Sequence, residues 1–267
     1  ISALYYADRV AQLPLGVVGI AVGTALLPLL ARELRAGNDE GAMANQNRAL
    51  EFGLLFSLPA AVALWLLADP IIRALFERGQ FTAEDTWRTA GALAAFAAGL
   101  PAFVAVKALT PGFFAREDTR TPLYIAIAAI AVNVALNAWF LYGTTLAHVG
   151  IALASSLSGW LNAALLAAVL RRRRHWMPDR RLVSRGLRVV GATAGMGVAL
   201  WFALKWLAVP LSQASVAGAV ALAGLCALGA AAYALLGGAL GIVKLAELRY
   251  LMRRQPGLKP ADPGEPQ

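Results

Sequence analysis

An all-helical, polytopic membrane bundle is the fold class this sequence predicts, on three observations. The 267 residues are 59% hydrophobic and only 15% charged, where soluble domains carry about 25% charge. Apolar stretches long enough to cross a bilayer recur along the chain, separated by polar segments. The 24 Lys and Arg residues gather in alternate segments between those stretches, which sets membrane topology. The net charge of +9 therefore reads as orientation, and a nucleic-acid partner is not expected. The single cysteine, Cys226, excludes an intramolecular disulfide and a cysteine-based zinc site.

Seven spans are expected, at about 10–31, 50–72, 89–114, 122–142, 149–170, 187–209 and 214–243. They form one bundle over residues 1–243, and the Pro-rich polar remainder, 244–267, reads as a disordered tail. The chain starts at Ile1 without a Met or a basic leader segment, so it reads as a fragment whose N-terminal part is missing. The first span holds Pro14 and Pro28, which neighbouring helices can accommodate. Directly before it stand Asp8 and Arg9. A charge deep in a bilayer costs about 2.5–3.5 kcal/mol or more, so such residues snorkel to the interface or line a wet cavity. Asp8 as the N-cap of the span, with Arg9 snorkelling, is one reading; a pair of charges at a cavity mouth is the other.

The segment 32–48 reads as a solvated basic loop, with AGND as its turn signal. The second span ends at Asp69-Pro70. A short amphipathic segment follows along the membrane surface, with Ile71, Ile72, Leu75 and Phe76 at helical spacing, Gly79 as a C-cap and Thr82 as the next N-cap. In the third span, Pro101 invites a kink or a break. Lys107 is a cation well inside that span, and either snorkels or faces a cavity. Thr119 or Thr121 should cap the fourth span, with Pro122 in its first turn.

Asn133 and Asn137 lie four apart on one face of the fourth span. Two such amides bridge helices, or offer oxygen ligands to a small cation or a polar headgroup. Ser155, Ser156 and Ser158 on the fifth span read as small packing positions, since no base accompanies them. The run RRRRHWMPDRR from 171 fixes topology and attracts anionic membrane lipid. The glycines of GGALG at 237–241 read as close packing or a hinge.

Orientation follows from the basic residues. With the first span running toward the cytoplasm, 19 of the 24 lie inside, and Arg9, Arg73, Arg78, Arg88 and Lys205 outside. The C-terminus is then cytoplasmic. No zinc-protease, phosphate-loop or nucleophile-elbow spacing occurs, so no enzyme, catalytic residue or bound cofactor is expected.

Three segments resemble a known family. YYADRVAQLPLGVVGIAVGTALLP, ADPIIRALFERGQF and GLPAFVAVKALTPGFFAREDTRTP are similar, in order and spacing, to the C-terminal half of the MurJ/MviN lipid II flippases, within the multidrug/oligosaccharidyl-lipid/polysaccharide exporter superfamily. The motif resemblance covers about residues 1–170. It implies helices eight to fourteen of a fourteen-helix, two-bundle transporter of the bacterial inner membrane, with lipid II as substrate, membrane lipids around it and a missing N-terminal bundle as partner. It also implies a role in peptidoglycan and cell-wall biogenesis, and hence in cell shape. In that family the Asp-Arg pair of the YADR motif serves a central substrate cavity; here it is Asp8 and Arg9, with Lys107 as a further cavity cation. The last two spans would belong to a lateral groove for the lipid tail. Some relatives bind sodium through polar residues of helices seven, eleven and twelve, where this chain offers Asn133 and Asn137, with an amide in place of an acidic ligand. Coupling to sodium or to the membrane potential is thus expected. A related exporter of drugs or other polyprenyl-linked sugars, and a non-transporting membrane scaffold, are the alternatives.

Overall fold

The structure, a computed structural model, describes residues 2–144, 147–207 and 216–242. Among these it contains α1 (Ser2–Arg35), α2 (Asp39–Leu66), α3 (Ala68–Phe76), α4 (Ala83–Leu109), α5 (Pro111–Phe114), α6 (Arg120–Gly143), α7 (Ala147–Arg172), α8 (Arg180–Trp206) and α9 (Val216–Ala239). Seven helical stretches are long and apolar enough to cross a membrane, with α4 and α5 counted together. The predicted tail, 244–267, and its boundary at 243 lie outside the described residues.

The long apolar helices pack around α4, which touches α1, α2 and α7. Its contact with α7 is the most extensive of these, and small and hydroxyl residues line it. Ser156 Oγ donates to the Ala95 carbonyl at 2.6 Å and Trp160 Nε1 donates to the Ala98 carbonyl at 3.0 Å. A Cβ on Gly99 would lie 2.9 Å from the Ser156 Cα, so the backbones approach to a distance only glycine allows. Helix α6 rests mainly on α7, and α9 mainly on α8. The α8–α9 pair reaches the rest of the bundle chiefly where α8 meets α2, with α9 also touching α3.

Several boundaries differ from the expected ones, each for a physical reason. Helix α1 has 34 residues, about 51 Å at 1.5 Å per residue, so it starts well before the apolar run. Asp8 therefore sits inside the helix and is not an N-cap. The segment 32–48 is not one loop. The chain turns at Gly37, whose φ is +71°, and α2 starts at Asp39, with the Asn38 side chain accepting from the Gly41 N–H at 2.9 Å. Asp39 and Glu40 in that first turn suit the positive end of the helix dipole. Helix α4 continues through Pro101; the break comes at Thr110-Pro111, where Thr110 Oγ1 caps the Val106 carbonyl at 2.8 Å. Thr119 stands at the N-cap position of α6, as expected, but its side chain makes no capping bond; the Asp118 carboxylate accepts from the Thr121 N–H at 3.0 Å instead. Helix α3 ends at Phe76 with Glu77 as its C-cap, and Gly79, at φ +62°, serves the turn beyond. Thr82 caps α4 as expected, with Asp85 completing the capping box.

One end of the bundle gathers the basic connections. Arg116 pairs with Asp39 at 3.2 Å, Arg173 with Asp118 at 2.5 Å, and Arg48 with Asp179. The side-chain and backbone hydrogen bonds of Thr121, with Arg173 beside them, hold the Asp118 carboxyl down to about 2. Burial, with Arg116 and Arg173 nearby, pushes the His175 imidazole below its usual value, which keeps it neutral at pH 7. Two buried amides at the start of α2 tie this end together. Gln46 Nε2 donates to the carbonyls of Ala108 and Leu109 at 3.3 and 3.2 Å. Asn47 Nδ2 donates to the Met177 carbonyl at 2.9 Å while its oxygen accepts from Trp176 Nε1 at 2.7 Å. Replacing Asn47 by Leu strands the buried Trp176 indole N–H, costing about 1–3 kcal/mol, and also loses the bond to the partly exposed Met177 carbonyl. The expected outcome is a lower unfolding temperature of the purified protein in detergent; an unchanged melting curve would show that this amide braces nothing.

Candidate functional site

Asp8 and Arg9 lie in the second turn of α1, on a stripe with Tyr5 and Gln12. The spacing i, i+3, i+4 and i+7 puts all four on one side of the helix. Gln12 Nε2 donates to the Asp8 carboxylate. The Arg9 guanidinium lies over the Tyr5 ring, with Cζ 5.1 Å from its centroid, a cation–π contact. Arg9 is exposed and has no ion pair among the described residues. Below the stripe, Leu13 and Val17 are 68% and 76% exposed, so this side of α1 meets no other helix among the described residues. Tyr5 and Gln12 were not singled out as site residues from the sequence. Their helical register with Asp8 and Arg9 is the signal that marks them.

Lys107 occupies a different station. Its stem lies against Gly19 of α1, where a Cβ would come within 2.5 Å of Lys107 Cδ. Gly19 is ten residues beyond Arg9, about 15 Å further along the helix. There Lys107 lines a cavity of about 420 Å³ together with Asn133, Ser158 and Asn162, and with Leu15 and Phe103 as apolar walls. The structure thus brings Lys107 and Asn133 together and leaves Asp8 and Arg9 outside that cavity. A second cavity of about 470 Å³ shares Val106, Ala126 and Asn162 with the first and reaches Arg120 at the basic end. Asn162 escaped the sequence analysis, although it lies one turn beyond Ser158 on the same side of α7.

Of the two amides of α6, Asn133 bridges to α7 and Asn137 braces Asn133 from one turn away. Asn133 Nδ2 donates to Ser158 Oγ across the α6–α7 seam at 3.2 Å, and Asn137 Nδ2 donates to Asn133 Oδ1 at 2.9 Å. Asn137 Oδ1 is the oxygen left without a partner. One neutral oxygen does not make a sodium site, which needs several oxygen ligands, so no step is derived through a bound ion. Among the described residues no group of three His, Cys, Asp or Glu side chains could hold a metal.

The family model for the lipid II flippase MurJ matches residues 1–221. This chain belongs to the MurJ lipid II flippase family. It is 50% identical over 256 residues to the probable lipid II flippase MurJ of Rhizobium meliloti (strain 1021), covering 95% of this chain and 48% of that protein. It is 51% identical over 207 residues to the probable lipid II flippase MurJ of Rhizobium tropici, covering 77% and 38%. The corresponding Vibrio cholerae protein is 37% identical over 236 residues, covering 87% and 44%. The chain thus spans about half the length, or less, of these curated relatives. A solved structure of lipid II flippase MurJ in an inward closed conformation matches with a TM-score of 0.72 at 24% identity, over 95% of this chain and 48% of that one; it establishes the shared fold. The chain is a multi-pass membrane protein of a transporter family.

The bridge makes a testable distinction. Replacing Asn133 and Asn137 together by Leu should lower thermal stability, since the one interhelical bond, Asn133 to Ser158, is worth about 0.6 kcal/mol on the average for such bonds, and leave any sodium dependence of transport as it was. Abolished sodium dependence at unchanged stability would show that the pair is an ion site instead.

Proposed function

We propose that this chain is the C-terminal bundle of a flippase that carries lipid II from the cytoplasmic to the outer leaflet of the bacterial inner membrane by alternating access. It acts as a transporter and not as an enzyme, and it works with an N-terminal bundle that precedes it. The observation that carries the proposal is the placement of Arg9 within the matched family region. It is a permanently charged guanidinium on an uncovered side of α1, without an ion-pair partner among the described residues. A diphosphate-sugar headgroup cannot cross hydrocarbon, so the protein must offer a wet cationic path while the polyprenyl tail stays in lipid. Arginine meets phosphate bidentately and stays charged in any surroundings.

The uncovered side of α1 is the side we assign to the central cavity, with the second bundle opposite. Lys107, about 15 Å along α1, supplies the next cation on the path. Two bundles rocking about such a cavity would exchange inward- and outward-facing states. The basic end is assigned to the cytoplasm by the asymmetry of Lys and Arg, which puts Asp8 and Arg9 near the outer side and the C-terminus inside. Moving a negative headgroup outward against an inside-negative potential is favourable by about 2.3 kcal/mol per charge per 100 mV, so the potential is the coupling we favour. A sodium ion would need further oxygen ligands from outside this chain.

Rescue of cells depleted of their own lipid II flippase tests the assignment. In the complete protein, Arg9→Ala should abolish rescue at normal membrane abundance, and Arg9→Lys should impair it because an ammonium lacks the planar fork. Asp8→Asn should also impair it; with Asp8 inside the helix, exchange of one capping residue for another cannot account for a loss. Full rescue by Arg9→Ala would sink the substrate role. Orientation has its own measurement. In a Cys226→Ala background, a cysteine at Arg174 should resist an impermeant thiol reagent in intact cells and one at Gln80 should react; the reverse pattern overturns the assignment.

A further inference from the structure

At the end of the bundle opposite the basic connections, a cavity of about 360 Å³ opens between the start of α1, the end of α3 and the start of α4. Tyr6, Phe76 and Phe81 form its apolar wall. Their rings meet at angles, with centroids 4.7 Å apart for Tyr6 and Phe76 and 5.7 Å apart for Tyr6 and Phe81. All three residues remain partly exposed. Arg78, Gln80 and Asp85 make the rim.

The rim offers donors and acceptors in balance. Arg78 donates to the Leu75 carbonyl at 2.7 Å, which orients its guanidinium, and it has no ion pair among the described residues. Asp85 completes the cap of α4 through Oδ2 alone, which accepts from the Thr82 N–H at 3.0 Å and from the Thr82 hydroxyl at 2.8 Å; Oδ1 takes no part in these bonds. Gln80 is exposed and brings an amide that both donates and accepts. One guanidinium thus faces one carboxylate. A phosphate asks for a surplus of cations and an ammonium for a surplus of carboxylates, and this rim has neither. A pyranose suits it: the C–H face of the sugar is apolar and rests on the negative face of an aromatic ring, while the edge carries hydroxyls that give and take hydrogen bonds.

The position suits a sugar joined to a phosphate. Tyr6 stands three residues before Arg9, about 4.5 Å along α1. The Tyr5 ring links the two, since it lies 5.9 Å from the Tyr6 ring and also carries the Arg9 guanidinium. Going outward along α1, Arg9 comes first and the pocket next, which is the order of diphosphate and sugar in a headgroup whose tail stays in the membrane. We infer that this pocket holds one neutral sugar ring of the headgroup when it reaches the outer side, with the C–H face of the ring on Tyr6 and Phe81 and its hydroxyl edge toward Arg78, Gln80 and Asp85. The source of the sugar rests on the transport reading; the chemistry of the pocket stands without it.

The test is saturation-transfer NMR on the purified complete protein in a detergent without sugar, with the soluble neutral disaccharide diacetylchitobiose as probe. The signal from the C–H protons of the probe should rise to a plateau on titration, and excess inorganic diphosphate or alanyl-alanine should leave it in place. Ala3→Trp fills the pocket and keeps every ring and charge, so the plateau should vanish while the melting curve stays as it was. Tyr6→Leu should weaken binding about fivefold, and Tyr6→Phe, which keeps the ring, by less. Arg78→Gln, a change on an exposed side chain, should weaken it as well. The absence of a plateau overturns the inference, as does an Ala3→Trp protein that binds the probe unchanged; displacement by alanyl-alanine would make the pocket a peptide site instead. In depleted cells Ala3→Trp should also reduce rescue. Loss of the plateau with rescue intact overturns the part of the pocket in transport, whereas no plateau while Arg9→Ala still abolishes rescue overturns the pocket and leaves the transport reading standing.

Discussion

A carbonyl freed at a helix break beside a bilayer has little water to turn to, and the buried amides of Gln46 and Asn47 supply the missing donors here. Gln46 answers for the end of α4, where the ladder is interrupted before Pro111. Asn47 answers for the connection between α7 and α8, through the Met177 carbonyl and the Trp176 indole. One turn further along α2, Glu51 gathers Arg48, Arg181 and Arg185. A single stretch of six residues thus fixes how α4, α7 and α8 sit on α2, and α9 follows because it packs chiefly on α8. A half-satisfied version of this network would be worse than an apolar one, which is why its polar atoms have to be paired together.

The spans were legible because the bilayer imposes length and apolarity on them, and no soluble alternative has that pattern. Their ends were not, because helix ends are set by local polar chemistry that hydropathy does not see. The stretch DEGAMANQNR looks like loop by composition, yet Asp39 and Glu40 favour a helix start and Gln46 and Asn47 are buried. Thr82 was readable as a cap because Asp85 stands at the reciprocal position of the box. Asp118 was not, since Thr119 and Thr121 offered equally good hydroxyls in the same turn. Of the kink or break expected at Pro101, the break does not occur there: a proline marks a strained helix, but the helix ends before Pro111, where Thr110 holds the Val106 carbonyl with both its N–H and its hydroxyl.

The candidate site divides in the same way. Asp8 and Arg9 stood out because two adjacent charges beside an apolar run demand an explanation, and Lys107 for the same reason within its span. What the sequence could not display is that Lys107 and Asn133 share a cavity while Asp8 and Arg9 do not, since that depends on how α4, α6 and α7 meet. Asn162 was invisible as one amide in a polar-tolerant helix. It acquires meaning only beside Asn133 and Ser158.

The contrast between these two stations bears on transport. The Lys107 cavity is furnished with amides and a hydroxyl that largely bond one another, so it presents one cation in a neutral polar setting. At the other station Asp8 is held by a neutral amide, Gln12, and Arg9 by the face of an aromatic ring. Neither interaction neutralises the charge, and both leave hydrogen-bonding capacity unused. An arginine locked in an ion pair would have to exchange its carboxylate for a phosphate, at the cost of leaving the carboxylate unpaired. With its guanidinium over Tyr5 and no ion pair among the described residues, Arg9 would, on the proposed reading, grip and release a phosphate without breaking a competing salt bridge. If Arg9 serves the substrate as proposed, a station that must let its ligand go on every cycle would be better served by that arrangement than by a tighter one.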